Sequence, residues 1–205
     1  MKKYRTLFFL AMVLILFYQV PKIEAATLLQ YHSRGNQVYD VQKNLVRMGY
    51  LHTSPTGYFG PATERAVKEF QLDTSLYANG VVGTSTYNRL LDVERMAHVV
   101  HGEARGESFT GQVAVASVIL NRTKSNVFPK TVSGVIFQTN AFTCVLDNQY
   151  NMTPNRTAYR AVIDAFKGWD PSNGLTYYYN PSLVTNKWIF TRSKVIRIGN
   201  QVFTK

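Results

Sequence analysis

Two runs of apolar residues at helical spacing enclose one short acidic segment, and this arrangement limits the folds open to the chain. The first run recurs at i, i+3, i+4 and i+7: Val93, Met96, Ala97 and Val100. The second run, residues 111–122, keeps helical spacing and includes small residues that allow close helix contact, with Ser108 or Thr110 as candidate N-caps. The segment between the runs reads His-Gly-Glu-Ala-Arg-Gly-Glu. The pattern therefore predicts two packed helices with Glu103 near the end of the first.

The composition is that of a folded, strongly basic protein. The 205 residues carry a formal net charge of +11, with 45% hydrophobic and 17% charged residues, enough for one medium domain or two small ones. The charge fits an anionic partner such as nucleic acid, a membrane surface or a bacterial wall. No nucleic-acid-binding signature or basic run is found, so nucleic acid is not expected as a partner. The single cysteine, Cys144, is expected to be a small buried residue and not a nucleophile.

Residues 1–25 have the pattern of a secretory leader. Three basic residues precede an apolar stretch of about fifteen residues that Pro21 and Lys22 end. A membrane-spanning helix needs about twenty apolar residues, so a signal peptide cleaved after Ala25 or Ala26 is favoured over an uncleaved anchor. The sequence thus predicts secretion across the cytoplasmic membrane.

Residues 27–92 are predicted to form a small bundle of three helices. The first ends at Gly49, the second begins at Pro61, and the third follows the Asn79-Gly80 turn with Thr84 as its cap. The apolar positions of the first helix are Val38, Val41, Leu45 and Met48, and the third carries Tyr87, Leu90 and Leu91. No linker rich in Gly, Ser or Pro follows, which indicates a tight boundary near residue 92.

Residues 93–205 are predicted to form an α+β domain. A short helix is expected within residues 131–138, and a longer one between Pro154 and Gly168. The character then changes to four β-prone runs at residues 177–179, 188–191, 195–198 and 202–204. The Gly199-Asn200 pair predicts a hairpin between the last two. The domain therefore ends in a small sheet.

The first unit resembles the three-helix peptidoglycan-binding domain of wall hydrolases. The resemblance runs through Gly49-Tyr50, Gly57-Tyr-Phe-Gly-Pro-Ala-Thr63, Phe70-Gln71 and Asn79-Gly80. Thr56-Gly57 and Asn79-Gly80 replace the more usual Asp-Gly turns of that family and keep the turn chemistry. The resemblance implies peptidoglycan as the partner of this unit, and no pair of acidic or basic residues in it forms a catalytic pattern.

The second unit resembles the SleB/CwlJ-type cell-wall hydrolases, known chiefly as spore cortex-lytic enzymes. The matching motifs include Gly102-Glu-Ala-Arg-Gly-Glu107, Gly111-Gln-Val-Ala-Val-Ala116, Tyr177-Tyr-Tyr-Asn-Pro181 and Lys187-Trp188. The resemblance implies a lysozyme-like helical catalytic domain that cleaves the MurNAc-β-1,4-GlcNAc backbone as a lytic transglycosylase, with Glu103 as the essential acid. The short connection between the units and the absence of a cysteine near the C-terminus depart from the SleB pattern.

The residues allow this chemistry with one carboxylate or with two. A glutamic acid among apolar groups can protonate the leaving oxygen of a glycoside. Hydrolysis normally needs a second carboxylate, for which the candidates are Glu107, Asp147, Asp164 and Asp170. Transglycosylation needs no second one, because the muramoyl 6-hydroxyl attacks C1 and Glu103 acts first as acid and then as base.

The expected substrate contacts are aromatic residues that stack on sugars and polar residues that bind their amides. They are Gln112, Phe142, Tyr178, Tyr179, Asn180 and Trp188. Arg105 and Glu107 are expected in supporting roles, with ion pairing or hydrogen bonding the simpler reading for Arg105.

No cofactor or metal is expected. His98 and His101 lie three residues apart, but no HExxH pattern or further ligand set accompanies them. An amidase and a non-catalytic wall-binding protein stay open as alternatives. The sequence also leaves open a regulatory protein partner in the spore, and whether cortex or vegetative wall is the target.

Overall fold

The computed structural model of the chain describes residues 28–182 and 187–205. The predicted leader, residues 1–25, lies outside this part of the chain. The bounds of its elements are α1 (Asn36–Met48), α2 (Pro61–Asp73), α3 (Thr84–Ala104), α4 (Phe109–Lys124), α5 (Val132–Ile136), α6 (Thr143–Leu146), a 3₁₀ turn (Gln149–Asn151), α7 (Arg156–Phe166), β1 (Tyr177–Tyr179), a second 3₁₀ turn (Lys187–Thr191), β2 (Lys194–Ile198) and β3 (Gln201–Thr204). Within the described residues, no helix is long and apolar enough to span a membrane.

The first two helices begin and end where the sequence predicts. The predicted apolar face of α1 is buried, and Gly49 ends the helix in the left-handed conformation, with φ of 89°. Pro61 lies at the first position of α2, where its missing N–H has no intrahelical partner to lose. Two buried glutamines tie the following turns: Gln42 bonds Thr56 and Gly57, and Gln71 bonds Gly80.

Helix α3 is one continuous helix where the sequence predicted two helices with a boundary between them. The run with Tyr87 and Leu90 and the run with Val93 and Val100 form one continuous helix of 21 residues. Its N-cap is Gly83 rather than Thr84, and no side chain caps it. The predicted division at residue 92 therefore falls inside a helix, because no glycine or proline interrupts residues 84–101.

Helix α4 is the centre of the C-terminal unit. It packs against α3, α5, α7 and β1, and all residues from Gly111 to Ile119 are buried. Ser108 is its N-cap and accepts a hydrogen bond from the Gly111 N–H, which settles the choice between Ser108 and Thr110. The predicted small residues allow α3 and α7 to approach this helix closely.

The C-terminal sheet has three antiparallel strands in the order β1-β3-β2. Tyr178 pairs with Phe203, and Ile198 pairs with Gln201 beside the Gly199-Asn200 turn. The prediction of a strand over residues 188–191 was wrong, since this run is a 3₁₀ turn. Its β-branched and aromatic side chains satisfied the local propensity for strand, but it has no pairing partner in the described sheet. The α+β class and the small terminal sheet are confirmed.

Candidate active site

Glu103 lies in the last turn of α3 and faces a short helix from another part of the chain. Its Oε1 accepts a hydrogen bond of 2.7 Å from the backbone N–H of Cys144, in α6. Its Oε2 accepts one of 3.1 Å from the hydroxyl of Tyr178, in β1. Three elements that are distant in sequence therefore hold one half-buried carboxylate in a single orientation.

Gly102 makes this close approach possible. A Cβ atom built on Gly102 would lie 2.5 Å from the Cβ of Cys144, which is closer than two non-bonded carbon atoms can approach. The absence of a side chain at residue 102 lets α6 come near enough for the Cys144 N–H to reach Glu103. The glycine next to the acid therefore has a packing role.

An open cleft with a volume of about 790 Å³ lies over Glu103. Its walls come from the end of α3, the segment before and within α6, β1, the second 3₁₀ turn and β3. The cleft is lined by aromatic, amide and charged side chains. An open cleft with both aromatic and polar walls suits a ligand that presents both apolar faces and polar groups.

The side chains of Tyr178 and Cys144, the two residues that donate to Glu103, both stay protonated near neutral pH. Burial, with the negative charge of Glu103 as the next cause, raises the pKa of Tyr178 well above its ordinary value. The same two causes raise the pKa of the Cys144 thiol. Cys144 is buried, as expected, and a buried thiol with a raised pKa is a poor nucleophile.

Arg122, near the end of α4, is a buried charged residue that lines the cleft. Its Nε donates to the Thr176 carbonyl at 2.7 Å. Its guanidinium lies 5.0 Å from the ring centre of Phe142, 5.2 Å from that of Phe128 and 5.6 Å from that of Tyr177. Burial lowers its pKa, opposed by the tyrosines and Glu103. An arginine in an otherwise apolar helix was the available sequence signal.

The predicted aromatic contacts come together around Glu103. Phe142, Tyr178, Tyr179, Asn180 and Trp188 all line the cleft. Phe142 is buried, whereas Trp188 leaves about half of its surface exposed and packs edge-on against Tyr177 at 5.6 Å. An exposed ring held at a cleft wall offers a face on which a sugar can stack.

Gln112 is the predicted substrate contact that the structure places outside the cleft. It is buried in α4, its Nε2 donates to the Glu107 carbonyl, and it does not line the cleft. Its position in the first turns of α4 turns its side chain into the core, so its role as a substrate contact stays a prediction.

Glu107 also lines the cleft, but both of its oxygens are occupied. Oε2 accepts from the backbone N–H of Asn200 at 3.2 Å, and Oε1 accepts from the Asn200 side chain at 3.3 Å. The carboxylate also lies so close to Gly199 that a Cβ there would be 2.5 Å from Oε2. Glu107 therefore ties the β2–β3 hairpin to the end of α3.

The three candidate aspartates lie outside the cleft lining. Asp170 accepts hydrogen bonds from Asn121, Ser172 and Gly174. Burial raises its pKa, but these bonds outweigh burial and lower it overall. Asp147 is exposed and bonds Gln149, and Asp164 lies in α7. Among the described residues that line the cleft, the carboxylates are Glu103 and Glu107.

Arg105 lines the cleft and makes hydrogen bonds to neighbouring residues. Its Nη1 donates to the side chain of Gln149 at 2.7 Å and to the Gly102 carbonyl at 3.2 Å. These bonds satisfy a carbonyl at the open end of α3 and attach the 3₁₀ turn to it. The described contacts of Arg105 do not include Glu107.

The two histidines of α3 have different surroundings. His98 bonds the Tyr150 carbonyl at 2.6 Å and lies 3.6 Å from Glu94, whereas His101 is buried and burial lowers its pKa. Within residues 28–182 and 187–205, no group of three or more His, Cys, Asp or Glu residues could hold a metal ion.

Comparison with known proteins identifies the class of both units. The family model described as Cell Wall Hydrolase matches residues 106–204, and that of a peptidoglycan binding domain matches residues 34–90. Glu103 lies just before the first of these ranges. The fold and the cleft are thus those of a cell-wall hydrolase joined to a peptidoglycan-binding domain.

Individual relatives narrow the class. The spore cortex-lytic enzyme of Bacillus cereus is 36% identical over 234 residues, which cover 91% of this chain and 90% of that protein. The spore cortex-lytic enzyme of Halalkalibacterium halodurans is 57% identical over 112 residues, 55% of this chain and 34% of that protein. The catalytic domain of the germination-specific lytic transglycosylase SleB from Bacillus anthracis has 55% identity and a TM-score of 0.54, covering 56% of this chain and 93% of that one. The chain belongs to the spore cortex-lytic enzyme family.

Proposed function

We propose that the protein cleaves the MurNAc-β-1,4-GlcNAc backbone of spore cortex peptidoglycan during germination, as a lytic transglycosylase with Glu103 as acid and base. Membership of the family supports the substrate class, and the relative of known structure is named as a germination-specific lytic transglycosylase. The N-terminal unit holds the chain on the same polymer.

The observation that carries the proposal is the difference between the two carboxylates of the cleft. Glu103 is held by two neutral donors, the Cys144 N–H and the Tyr178 hydroxyl, which orient it without neutralising it. Glu107 has both oxygens bound to Asn200. One free acid suits a reaction in which the same group gives and then takes a proton.

The proposed reaction balances without water. Glu103 protonates the leaving 4-oxygen of GlcNAc as the bond between that oxygen and muramoyl C1 breaks. The muramoyl 6-hydroxyl then attacks C1, and the Glu103 carboxylate accepts the hydroxyl proton. The products are a 1,6-anhydromuramoyl end and a free GlcNAc 4-hydroxyl, and Glu103 returns to its protonated form.

Arg122 supports the second half of this cycle. The departure of the leaving group gives C1 oxocarbenium character and turns Glu103 into a carboxylate. The guanidinium of Arg122 lines the same cleft, and its positive charge attracts the carboxylate that proton transfer leaves on Glu103. The aromatic rings around Arg122 hold this charge in place.

The test is mass spectrometry of the soluble fragments that the protein releases from purified cortex peptidoglycan. We expect anhydromuramoyl ends from the wild type. Glu103→Gln should lower release by about 10²–10⁴-fold, the usual loss when a general acid is removed. Its binding to insoluble peptidoglycan should be unchanged, because the N-terminal unit is untouched.

Other products would contradict the proposal in identifiable ways. Reducing ends that carry water would require a second carboxylate and direct attention to Glu107. Release of free peptides with intact glycan would indicate an amidase. Retained binding with no release by the wild type would place the protein among non-catalytic wall-binding proteins.

Export is a separate part of the proposal. Residues 1–25 are proposed to act as a leader that carries the chain across the cytoplasmic membrane, as action on a wall polymer requires. The N-terminal sequence of the protein recovered from spores should begin at residue 26 or 27. The expectation of a regulatory protein partner stays an untested prediction.

A further inference from the structure

Gln201 is a buried amide in the wall of the catalytic cleft. It is the first residue of β3, directly after the Gly199-Asn200 turn, and 5% of its surface is exposed. It shares the cleft lining with Glu103, Tyr178 and Trp188. Its backbone pairs with Ile198 in the sheet, but its side chain is not part of that pairing.

The side-chain oxygen of Gln201 has no hydrogen-bond partner. Among the described residues, four buried side-chain atoms lack one: His101 Nδ1, Gln112 Oε1, Arg192 Nε and Gln201 Oε1. Of these four residues, Gln201 alone lines the cleft over Glu103. Leaving a buried amide oxygen unpaired destabilises the fold, so a ligand in the cleft that supplies its partner would recover that loss.

The chemistry of the missing partner follows from the amide. A glutamine side chain presents one acceptor and two donors on a planar group, and its terminal torsion is broad, so either atom can turn toward a ligand. An acetamido group has the matching pair, one N–H donor and one carbonyl acceptor. Both sugars of the proposed substrate carry this group at C2. A hydroxyl could supply one of these bonds, but the acetamido group can supply both.

We propose that Gln201 is a specificity-determining residue that binds the 2-acetamido group of a sugar in the cleft. The inference rests on the proposed function for its substrate class and adds the group by which the glycan is recognised. It acts on binding and not on proton transfer, because the residue is distinct from the donors that hold Glu103. The β2–β3 hairpin, which Glu107 attaches to the end of α3, therefore carries a substrate contact on the first residue of β3.

The test compares cleavage of N-acetylated glycan strands with that of strands from which the acetyl groups have been removed. We expect the wild type to prefer the acetylated strands. Gln201→Met, which keeps the side-chain volume, should reduce that preference about tenfold, the value of roughly one hydrogen bond. The change should appear as a higher KM for acetylated strands, with kcat and the rate on deacetylated strands close to those of the wild type.

Gln112→Met is the matched control. Gln112 is also a buried glutamine with an unpartnered Oε1, but it lies outside the cleft. It should keep the substrate preference of the wild type, whatever its effect on stability. Equal losses on both substrates in Gln201→Met, or an unchanged preference, would overturn the proposal and assign Gln201 to the sheet alone.

A binding measurement separates this proposal from the cleavage reaction and needs no variant. The side-chain amide signals of Gln201 in the wild type, assigned through bonds by NMR, are followed during titration with tri-N-acetylchitotriose and with deacetylated chitotriose. We expect a saturable shift with the acetylated sugar and none with the other. No shift with either sugar contradicts the role of Gln201, whereas a shift in a protein that releases no glycan contradicts the proposed reaction only.

Discussion

At the scale of single residues, the orientation of Glu103 depends on groups that carry no charge. The Cys144 N–H bonds one oxygen of the carboxyl group and the Tyr178 hydroxyl bonds the other, so two neutral donors fix its orientation. The raised pKa of Tyr178 keeps its hydroxyl a donor across the physiological range. The phenol therefore positions the acid.

Tyr178→Phe isolates this contribution. The ring remains in place, tilted against Phe203 and packed on the core, while the hydrogen bond to Glu103 Oε2 is lost. We expect kcat to fall about fivefold, since one hydrogen bond of about 1 kcal/mol is removed. Fragment release under substrate saturation, compared with thermal unfolding of both proteins, checks the result. Tyr179→Phe is the control, because Tyr179 lines the same cleft and is not bonded to Glu103 in the described contacts. A Tyr178→Phe variant with unchanged kcat would remove Tyr178 from this role.

At the scale of elements, the hairpin β2–β3 depends on Glu107 for its place at the end of α3. The turn residue Asn200 gives both its backbone and its side-chain N–H groups to that carboxylate. The hairpin in turn carries Gln201 into the cleft and Phe203 into the core. The two carboxylates of one sequence motif thus differ in their surroundings. Glu103 faces the cleft, whereas Glu107 holds the hairpin in place.

Two substitutions at Glu107 distinguish scaffold from catalyst. Glu107→Gln keeps an oxygen acceptor for Asn200 and should retain activity within a few-fold of the wild type. Glu107→Ala removes both acceptors and should lower the free energy of unfolding by about 1 kcal/mol, because the bonds are near the surface. Initial rates and urea unfolding measure the two effects. If Glu107→Gln were as inactive as Glu103→Gln, Glu107 would be the second carboxylate of a hydrolytic reaction.

At the scale of the whole molecule, one helix belongs to both units. Helix α3 begins among the N-terminal helices and ends at Ala104, so that Glu103 lies in its last turn. Across the boundary, Arg47 contacts Glu94 at 2.9 Å and Lys167 contacts Asp73 at 2.9 Å, while Arg89 lies over the ring of Phe166. The continuous helix and these contacts hold the N-terminal unit in one orientation relative to the cleft.

The Glu94 cluster makes part of this coupling depend on pH. Glu94 contacts Arg47 and His98 and accepts a hydrogen bond from the Tyr159 hydroxyl. The hydrogen bond to Glu94 raises the pKa of His98 above its ordinary 6.5, against the effect of burial. Burial raises the pKa of Glu94, but His98, Tyr159 and Arg47 outweigh it, so that its pKa lies below the ordinary 4.5.

These directions define a pH window for stability. The contribution of His98 is complete below the pKa of the unfolded chain and is lost as pH rises through the folded pKa. The contribution of Glu94 is present above its unfolded pKa and is lost as pH falls through its folded pKa. The cluster should therefore stabilise the protein most between pH 4.5 and 6.5.

The variant His98→Gln should remove the loss of stability that His98 causes as the pH rises. We expect the wild type to lose up to about 1 kcal/mol of stability between pH 6 and 9 through this group, and the variant to lose correspondingly less. Urea unfolding across that range measures the difference. His52→Gln, at an exposed histidine outside the described contacts of Glu94, is the control. Parallel pH profiles for the wild type and His98→Gln would show that the cluster does not contribute.

Local patterns in the sequence determined most of the helices. Val38 to Met48, Pro61 and Ser108 are read from spacing, from proline geometry and from a capping hydroxyl, and all act within one or two turns of chain. The hairpin turn at Gly199 is equally local, since its φ of 58° favours glycine. The same limit explains the error at residues 188–191, where strand propensity was present but pairing was not.

The tertiary structure alone decided how the site is assembled. Glu103 was identified from its motif, but its donors come from residues 144 and 178, and its cationic neighbour Arg122 comes from the middle of the fold. The cleft excludes Gln112 and includes Gln201 because burial depends on how helices and strands pack, and packing joins residues that no local pattern relates. Short-range chemistry thus determines the elements of this protein, and long-range packing determines which of their side chains meet.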